Sequence, residues 1–89
     1  MVLWTIYIIT PDGEFYPIEI DNEKTFEELK RMVSKEIGLP YEYLILAGRE
    51  EYNFHYNPKK IKEIDGLSDQ ESLYAIVQYS AEVHGLLNK

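Results

Sequence analysis

One segment, TFEELKRMVSKEIGLP at residues 25–40, carries both the start and the stop signals of a single helix. Thr25 and Glu28 form a capping-box pattern, in which each side chain accepts a hydrogen bond from the backbone N–H of the other residue. At the far end, Gly38 suits the left-handed conformation that closes a helix, and Pro40 cannot continue one. The sequence therefore predicts one helix that begins after Thr25 and ends before Gly38.

The apolar residues of this helix recur at spacings of three and four, which places them on one stripe. The stripe consists of Phe26, Leu29, Val33 and Ile37. Positively charged residues lie outside the stripe, at Lys30, Arg31 and Lys35. A helix with a single apolar stripe packs against one surface. Because the rest of the chain offers only strands for this purpose, we expect that surface to be a β-sheet.

Four segments are rich in the β-branched and aromatic residues that favour strands, namely residues 3–10, 14–21, 43–47 and 72–79. The sequence Pro-Asp-Gly at 11–13 predicts a turn that joins the first two segments into a hairpin. Pro17 does not fit a central strand, so we expect its nitrogen to face outward or to lie in a bulge. Residues 49–60 predict a long connection with one short strand near Tyr52–Tyr56, and a short helical turn follows at residues 61–67.

The predicted order of elements is ββαββ. It indicates an α+β domain in which one main helix packs on a mixed sheet of four or five strands. We expect the first and the last strand to be parallel neighbours at the centre of this sheet. A chain of 89 residues is one domain. We expect residues 1–80 to form it, and residues 81–89 to form a tail that frays or leads to a following region.

The composition narrows the class of function. The chain has no Cys, which excludes disulfides and thiolate metal sites, and its formal net charge is −7. An acidic domain repels nucleic acids and anionic lipid surfaces, and its apolar runs are too short to span a membrane. We therefore expect an intracellular monomer, cytoplasmic or nuclear, that binds neither nucleic acid nor membrane.

Catalysis has little support in the sequence. His55 and His84 fall in a predicted loop and in the tail, and neither has a Cys nucleophile nearby. His55 with Glu50 and Glu51 matches no known zinc spacing. The glycines occur singly and form no phosphate-binding loop. The sequence thus predicts a protein that is not an enzyme and that holds no metal or cofactor.

The strands carry apolar side chains on both faces of the predicted sheet. Side chains alternate along a strand, so the face turned toward the helix includes Leu73, Ala75 and Val77. The opposite, open side then carries Tyr7, Ile9, Ile45, Tyr74 and Ile76. An exposed apolar patch on a small domain is a candidate binding surface. Two alternatives to a binding role stay open. In the first, the strand preference and cross-strand pairing of these residues alone explain their apolar character. In the second, the C-terminal tail folds back and covers them.

Several motifs follow one another along most of the chain, from about residue 4 to residue 79. They are WTIYIIT in the first strand, TFEELK and GLP around the helix, LILAGRE, and finally IKEIDGLSDQESLYAIV. In this order and spacing they resemble ubiquitin and the ubiquitin-like domains of the β-grasp fold. The connection from Gly48 to Ile61 is longer than in ubiquitin and contains several aromatic residues.

The resemblance implies a docking surface. In ubiquitin this surface centres on an Ile of the third strand, a His and a Val of the last strand, and a Leu of the first turn. By motif, Ile45, Tyr74 and Ile76 take the first three places here, and Pro11 takes the fourth. Arg49 stands where ubiquitin has a chain-forming Lys, and an Arg cannot accept an isopeptide bond.

We include Tyr7, Ile9 and Arg49 with these residues in the predicted partner-binding surface. The resemblance implies protein partners such as a ubiquitin-binding domain, the proteasome or a segregase subunit. Conjugated relatives end in Gly-Gly, but residues 80–82 of this chain read Ser-Ala-Glu. The resemblance therefore implies an interaction domain that is not conjugated to other proteins.

Two alternative functions remain open at this stage. One is a ubiquitin-like modifier whose tail is processed in an unrecognised way. The other is a β-grasp signalling module, like the Ras-association or Phox/Bem-type domains, that binds basic partners by charge. Such a module would use acidic residues such as Asp65, Asp69 and Glu71.

Overall fold

The computed structural model describes residues 1–78. Its strands are β1 (Leu3–Ile9), β2 (Phe15–Asp21), β3 (Leu44–Ala47), β4 (Glu51–Tyr52) and β5 (Ser72–Val77), and its helix is α1 (Phe26–Ile37). Short 3-10 turns occupy Tyr41–Tyr43, Phe54–Tyr56 and Ile61–Glu63. The predicted tail at residues 81–89 lies outside the described residues.

The strands form one mixed sheet in the order β2-β1-β5-β3-β4. β1 and β5 run parallel to each other, while the pairs β1–β2, β3–β5 and β3–β4 are antiparallel. One helix packed on a mixed sheet confirms the predicted α+β class, and β1 and β5 are the parallel inner neighbours that the sequence indicated.

The helix begins and ends where its sequence signals place it. The Thr25 hydroxyl accepts a hydrogen bond from the Glu28 N–H at 3.3 Å, and the Glu28 carboxylate accepts one from the Thr25 N–H at 3.2 Å. Gly38 has φ of 75° and donates its N–H to the Ser34 carbonyl oxygen at 2.9 Å. These contacts satisfy backbone groups that a helix end otherwise leaves without a partner.

The core lies between α1 and the sheet. On the helix, Phe26, Leu29 and Val33 are fully buried, and Ile37 packs against them while remaining partly exposed. Their partners on the sheet are the inward-facing side chains, including Ile6, Ile8, Ile18, Ile20, Leu44, Leu46, Leu73 and Ala75. The stripe of α1 therefore seals one face of the sheet and leaves the other uncovered within residues 1–78.

β2 is an edge strand, which explains how it accommodates Pro17. The Tyr7 N–H points toward β5, where it donates to the Glu71 carbonyl oxygen at 2.9 Å. Pro17 lies opposite Tyr7, so its nitrogen faces the free edge of β2 and no ladder hydrogen bond is lost. The predicted outward orientation of Pro17 is thus what the strand register shows.

Two predicted strand positions need correction. The short strand is Glu51–Tyr52, and residues 54–56 form a 3-10 turn instead of extending it. The Asn53 side chain accepts a hydrogen bond from the His55 N–H at 3.0 Å, which starts this turn. β3 begins at Leu44 because the residues after Pro40 also form a 3-10 turn.

Candidate functional site

The side of the sheet that faces away from α1 is called the open face below. Strand register places its side chains in rows that cross the sheet. Phe15 on β2 pairs with Ile9 on β1, and Ile9 pairs with Tyr74 on β5. In the adjoining row, Ile76 on β5 pairs with Ile45 on β3. Residues paired in this way have Cβ atoms only about 4.5–5.5 Å apart, so these side chains form one continuous group.

We call Ile9, Phe15, Ile45, Tyr74 and Ile76 the apolar cluster. Phe15, Tyr74 and Ile76 have 63%, 54% and 38% of their surface exposed, respectively, and Ile9 and Ile45 are half-buried. By contrast, Ile6 and Ile8 on the helix side of β1 are fully buried. The alternation of β1 and β5 thus divides large apolar side chains between a sealed core and an exposed surface.

The residues predicted for the partner-binding surface occupy three kinds of position. Ile9, Ile45, Tyr74 and Ile76 belong to the apolar cluster. Tyr7 is half-buried at its border, and its hydroxyl donates a hydrogen bond to Gln70 Oε1 at 3.1 Å. Arg49 lies in the exposed loop between β3 and β4, outside the strands. The structure therefore brings most of the predicted set together, while their role in binding stays a prediction.

Phe15 is a member of the cluster that was not predicted from the sequence. The period of two placed Tyr16, Ile18 and Ile20 of β2 together on one face, and in the structure they pack on the core side. The same period sends Phe15 and Pro17 to the open face. The sequence therefore contained the signal for Phe15. Assigning the side chains of β2 to both faces of the sheet, and not to the core face alone, would have placed Phe15 on the open face.

The apolar cluster adjoins a shallow depression of about 610 Å³ between the first hairpin turn and β5. Its lining includes Ile9, Pro11, Tyr74 and Ile76. Pro11 takes the place that the resemblance assigned to a Leu of the ubiquitin surface, so an apolar residue is retained at the turn. The open face thus has a concave region as well as exposed apolar area, and both favour close packing of a partner.

The charges of the strands all have one sign. Of the strand residues, only Glu19, Asp21 and Glu51 are charged, and register places each of them on the open side. Asp69 adds a carboxylate near the start of β1, where its Oδ1 accepts a hydrogen bond from the Thr5 N–H at 2.7 Å. Glu51 thus lies beyond Ala47 in the row of Ile9 and Tyr74, and Glu19 lies four residues, or about 13 Å, along β2 from Phe15.

The aromatic segment at residues 52–56 has a mainly structural role. Tyr52 is buried, its ring lies 5.5 Å from that of Phe26, and it makes an edge-to-face contact with Tyr56 at 5.1 Å. The Tyr56 hydroxyl donates to Glu50 Oε1 at 2.8 Å, and this hydrogen bond raises the pKa of Tyr56. Burial raises the pKa of Tyr52. The two tyrosine rings close the core beside the start of α1, whereas Phe54 is exposed.

The histidine of the described residues, His55, lies on the surface. The His55 ring stacks on Phe54 with 4.2 Å between centroids, and the His55 side chain is exposed. Within residues 1–78, no group of three or more His, Cys, Asp or Glu side chains is placed to hold a metal ion. The described helix is also neither long nor apolar enough to cross a membrane.

The sheet order β2-β1-β5-β3-β4, with α1 on one face, is that of a ubiquitin-like β-grasp domain. Solved structures support this assignment of the fold. The C-terminal ubiquitin-like domain of human 2'-5'-oligoadenylate synthetase-like protein superposes with a TM-score of 0.72 at 19% identity, over 89% of this chain and 87% of that one. A protein designed computationally on the template of human erythrocytic ubiquitin gives 0.69 at 20% identity, over 86% and 94%.

A third similar structure is the N-terminal ubiquitin-like domain of the 4931431F19Rik protein, with a TM-score of 0.69 at 12% identity over 89% of this chain and 78% of that one. No protein-family model matches the chain, and no curated protein matches it in sequence. At these identities the likeness concerns the fold. The chain therefore has the ubiquitin-like β-grasp fold that the sequence motifs predicted.

Proposed function

We propose that this chain is a non-catalytic protein-interaction domain that docks on its partners through the open face of the sheet. By analogy with ubiquitin, the partners are ubiquitin-binding domains, such as those of receptors, of the proteasome or of a segregase. The domain works as an intracellular monomer, in the cytoplasm or the nucleus, and its mechanism is burial of the apolar cluster inside a polar border.

The observation that carries this proposal is the exposure of large apolar side chains in one register-linked group. Burial of apolar surface contributes roughly 25 cal/mol per Å², and tyrosine is among the residues most often found at the energetic centre of interfaces. Tyr74 stands between Ile9 on β1 and the β3 strand, with more than half of its surface exposed. A partner that covers Tyr74 also covers its apolar neighbours.

The charge-driven signalling alternative has weaker support. Of its three acidic residues, Asp69 accepts a hydrogen bond from the Thr5 N–H, and Glu71 accepts one from the Ser68 hydroxyl at 3.4 Å. Carboxylates engaged in this way support the local structure. The modifier alternative depends on residues beyond the described range, so we retain the interaction domain as the function that the geometry favours.

A heteronuclear NMR titration with a ubiquitin-associated domain tests the proposal. We expect amide shifts to concentrate on β1, β3 and β5 around Tyr74 and Ile76. Ile76→Ala should weaken binding by about 5–30-fold, corresponding to the loss of about 1–2 kcal/mol typical of a contact near an interface centre. Met32→Ala is a matched control, because Met32 on α1 is 40% exposed against 38% for Ile76.

Two results would contradict the proposal. One is an absence of shifts on the open face at saturating concentrations of the ubiquitin-associated domain. The other is a loss of affinity in Met32→Ala that equals the loss in Ile76→Ala, because the helix face would then take part in binding to the same extent.

A further inference from the structure

The strands of this domain carry only negative formal charges, and the positively charged side chains that the structure describes lie outside them. The strands contain no Lys or Arg within residues 1–78, and their carboxylates Glu19, Asp21 and Glu51 all face the open side. The helix α1 carries three cations, Lys30, Arg31 and Lys35, together with three carboxylates, Glu27, Glu28 and Glu36. The formal charges that the strands place on the open face are thus all negative, whereas α1 on the opposite side carries equal numbers of both signs.

The remaining Lys and Arg side chains of the described residues also lie outside the strands. Lys24, Lys59, Lys60 and Lys62 lie in two segments that are hydrogen-bonded to each other beside the start of α1. Lys60 and Lys62 also form ion pairs with Glu23. Arg49 lies in the exposed loop between β3 and β4, two residues before Glu51.

From this arrangement we propose that the occupant of the open face is an amphipathic helix of another protein, with an apolar stripe flanked by Lys or Arg. This inference rests on the proposed function and specifies the chemistry of the partner. The apolar stripe covers the apolar cluster, and the flanking cations lie against Glu19 on β2 and Glu51 on β4. Such complementarity increases the association rate and excludes partners whose flanking charges are acidic.

The dimensions of the cluster fit a helix. It extends from Phe15 on β2 across β1 and β5 to Ile45 on β3. Neighbouring strands are about 4.8 Å apart, so this width is about 14 Å. A helix with its side chains is about 10–12 Å across. A single helix that runs along the strands therefore covers most of the cluster; cations on one flank then lie toward Glu51 on β4, and those on the other flank lie over β2, where Glu19 is about 13 Å along the strand from Phe15.

A second copy of the domain fits this face poorly. A two-fold interface brings the same surface of both copies together. Such an interface would bring the carboxylates of Glu19 and Glu51 near those of the other copy. The cations of α1 lie on the opposite face of the sheet and would not offset this repulsion. Each copy also carries a net charge of −7. Charge complementarity thus favours a basic partner over self-association.

The test uses two synthetic helix-forming peptides of about 18 residues, or five turns. Both contain the same leucine stripe, and they differ in the flanking positions, which are Lys in the basic peptide and Glu in the acidic one. Binding to the full 89-residue chain is measured by fluorescence anisotropy. It is mapped by NMR at salt concentrations of about 0.1 M and about 1 M, which change the Debye length from about 10 Å to about 3 Å.

We expect the basic peptide to bind at the apolar cluster at least about tenfold more tightly than the acidic peptide at low salt, and this difference to shrink at high salt. Glu19→Lys combined with Glu51→Lys should weaken binding of the basic peptide about five- to tenfold. Glu36→Lys combined with Asp65→Lys changes the net charge equally, away from the open face, and should have a much smaller effect.

Three outcomes would overturn the inference. Equal or tighter binding of the acidic peptide at the cluster would refute the charge assignment and leave the docking function standing. An equal effect of both double variants would show that only net charge matters. Concentration-dependent shifts of the free protein on the open face would identify a second copy as its occupant. If neither peptide nor the ubiquitin-associated domain shifts the open face, the proposed function itself fails.

Discussion

Leu29→Ala tests whether the stripe of α1 seals the core. Leu29 is the fourth residue of the helix and is fully buried in the core. Leucine and alanine both favour helices, so the change leaves the helix itself intact. Its cost is lost apolar contact plus a cavity, which is about 2–5 kcal/mol for a buried leucine. We therefore expect a loss of about 3 kcal/mol. This is a large share of the free energy of unfolding, which is about 4–13 kcal/mol for a domain of this size.

Urea unfolding measures this loss. The single Trp, Trp4, packs against the core and provides a fluorescence signal, and far-UV circular dichroism follows the helix. With a denaturant slope of about 1–3 kcal/mol per M, the midpoint should fall by about 1–3 M. Met32→Ala on the exposed side of α1 is the control and should cost less than about 1 kcal/mol. Equal losses in the two variants, or a loss below about 1 kcal/mol for Leu29→Ala, would refute the packing described above.

Three further predictions concern other parts of the fold. Lys60 and Lys62 lower the pKa of Glu23 from 4.5 to about 2, so these ion pairs stabilise the folded state fully above about pH 4.5 and are lost as the pH falls toward 2. Glu23→Gln should therefore flatten the decline of the urea midpoint over this range, and a decline as steep as that of the unmodified chain would contradict the assignment. Gly38→Ala should lower the free energy of unfolding by about 1 kcal/mol, because φ at this position is +75° and an L side chain is strained there. The added Cβ meets no atom within 4 Å, so a steric clash does not contribute. An unchanged midpoint of thermal unfolding would argue against that strain. Pro17→Thr restores an N–H on the free edge of β2 and should promote edge-to-edge association in sedimentation velocity runs, whereas identical sedimentation of both proteins would show that the proline does not protect the edge.

The elements with local signals were the ones that the sequence predicted well. The helix between Thr25 and Gly38 has caps within a few residues of its ends, and both caps are present in the structure. The first hairpin follows from the Pro-Asp-Gly turn and the alternation on either side of it. Such signals depend on neighbouring residues alone, so they can be interpreted without knowledge of the tertiary fold.

The segment between β3 and the 3-10 turn at Ile61–Glu63 was predicted less well, because its structure depends on distant contacts. The aromatic residues there were consistent with a strand. Tyr52 and Tyr56 instead pack on Phe26, which is far away in sequence, and this packing favours a turn at residues 54–56 over an extended strand. Tertiary contacts override the local preference of such residues.

The grouping of side chains on the open face was predicted in large part, since strand alternation decides which side chains share a face. Ile45, Tyr74 and Ile76 adjoin because β3 pairs with β5, and the β-grasp resemblance supplied that pairing. The negative charge of the open face was not predicted. It depends on the positions of Glu19 and Glu51 relative to the helix layer, and these become visible only when β2 and β4 are placed at opposite edges of the sheet.

The exposure of the isoleucines to a soluble paramagnetic probe tests the central claim most directly. The full 89-residue chain, labelled at the isoleucine δ1-methyl groups, is titrated with a neutral gadolinium chelate, and the relaxation of each methyl is measured. We predict strong relaxation enhancement for Ile9, Ile45 and Ile76, and weak enhancement for the fully buried Ile6 and Ile8. Equal protection of all of these methyls would mean that another part of the chain or a second copy covers the open face, and would contradict its assignment as a docking surface.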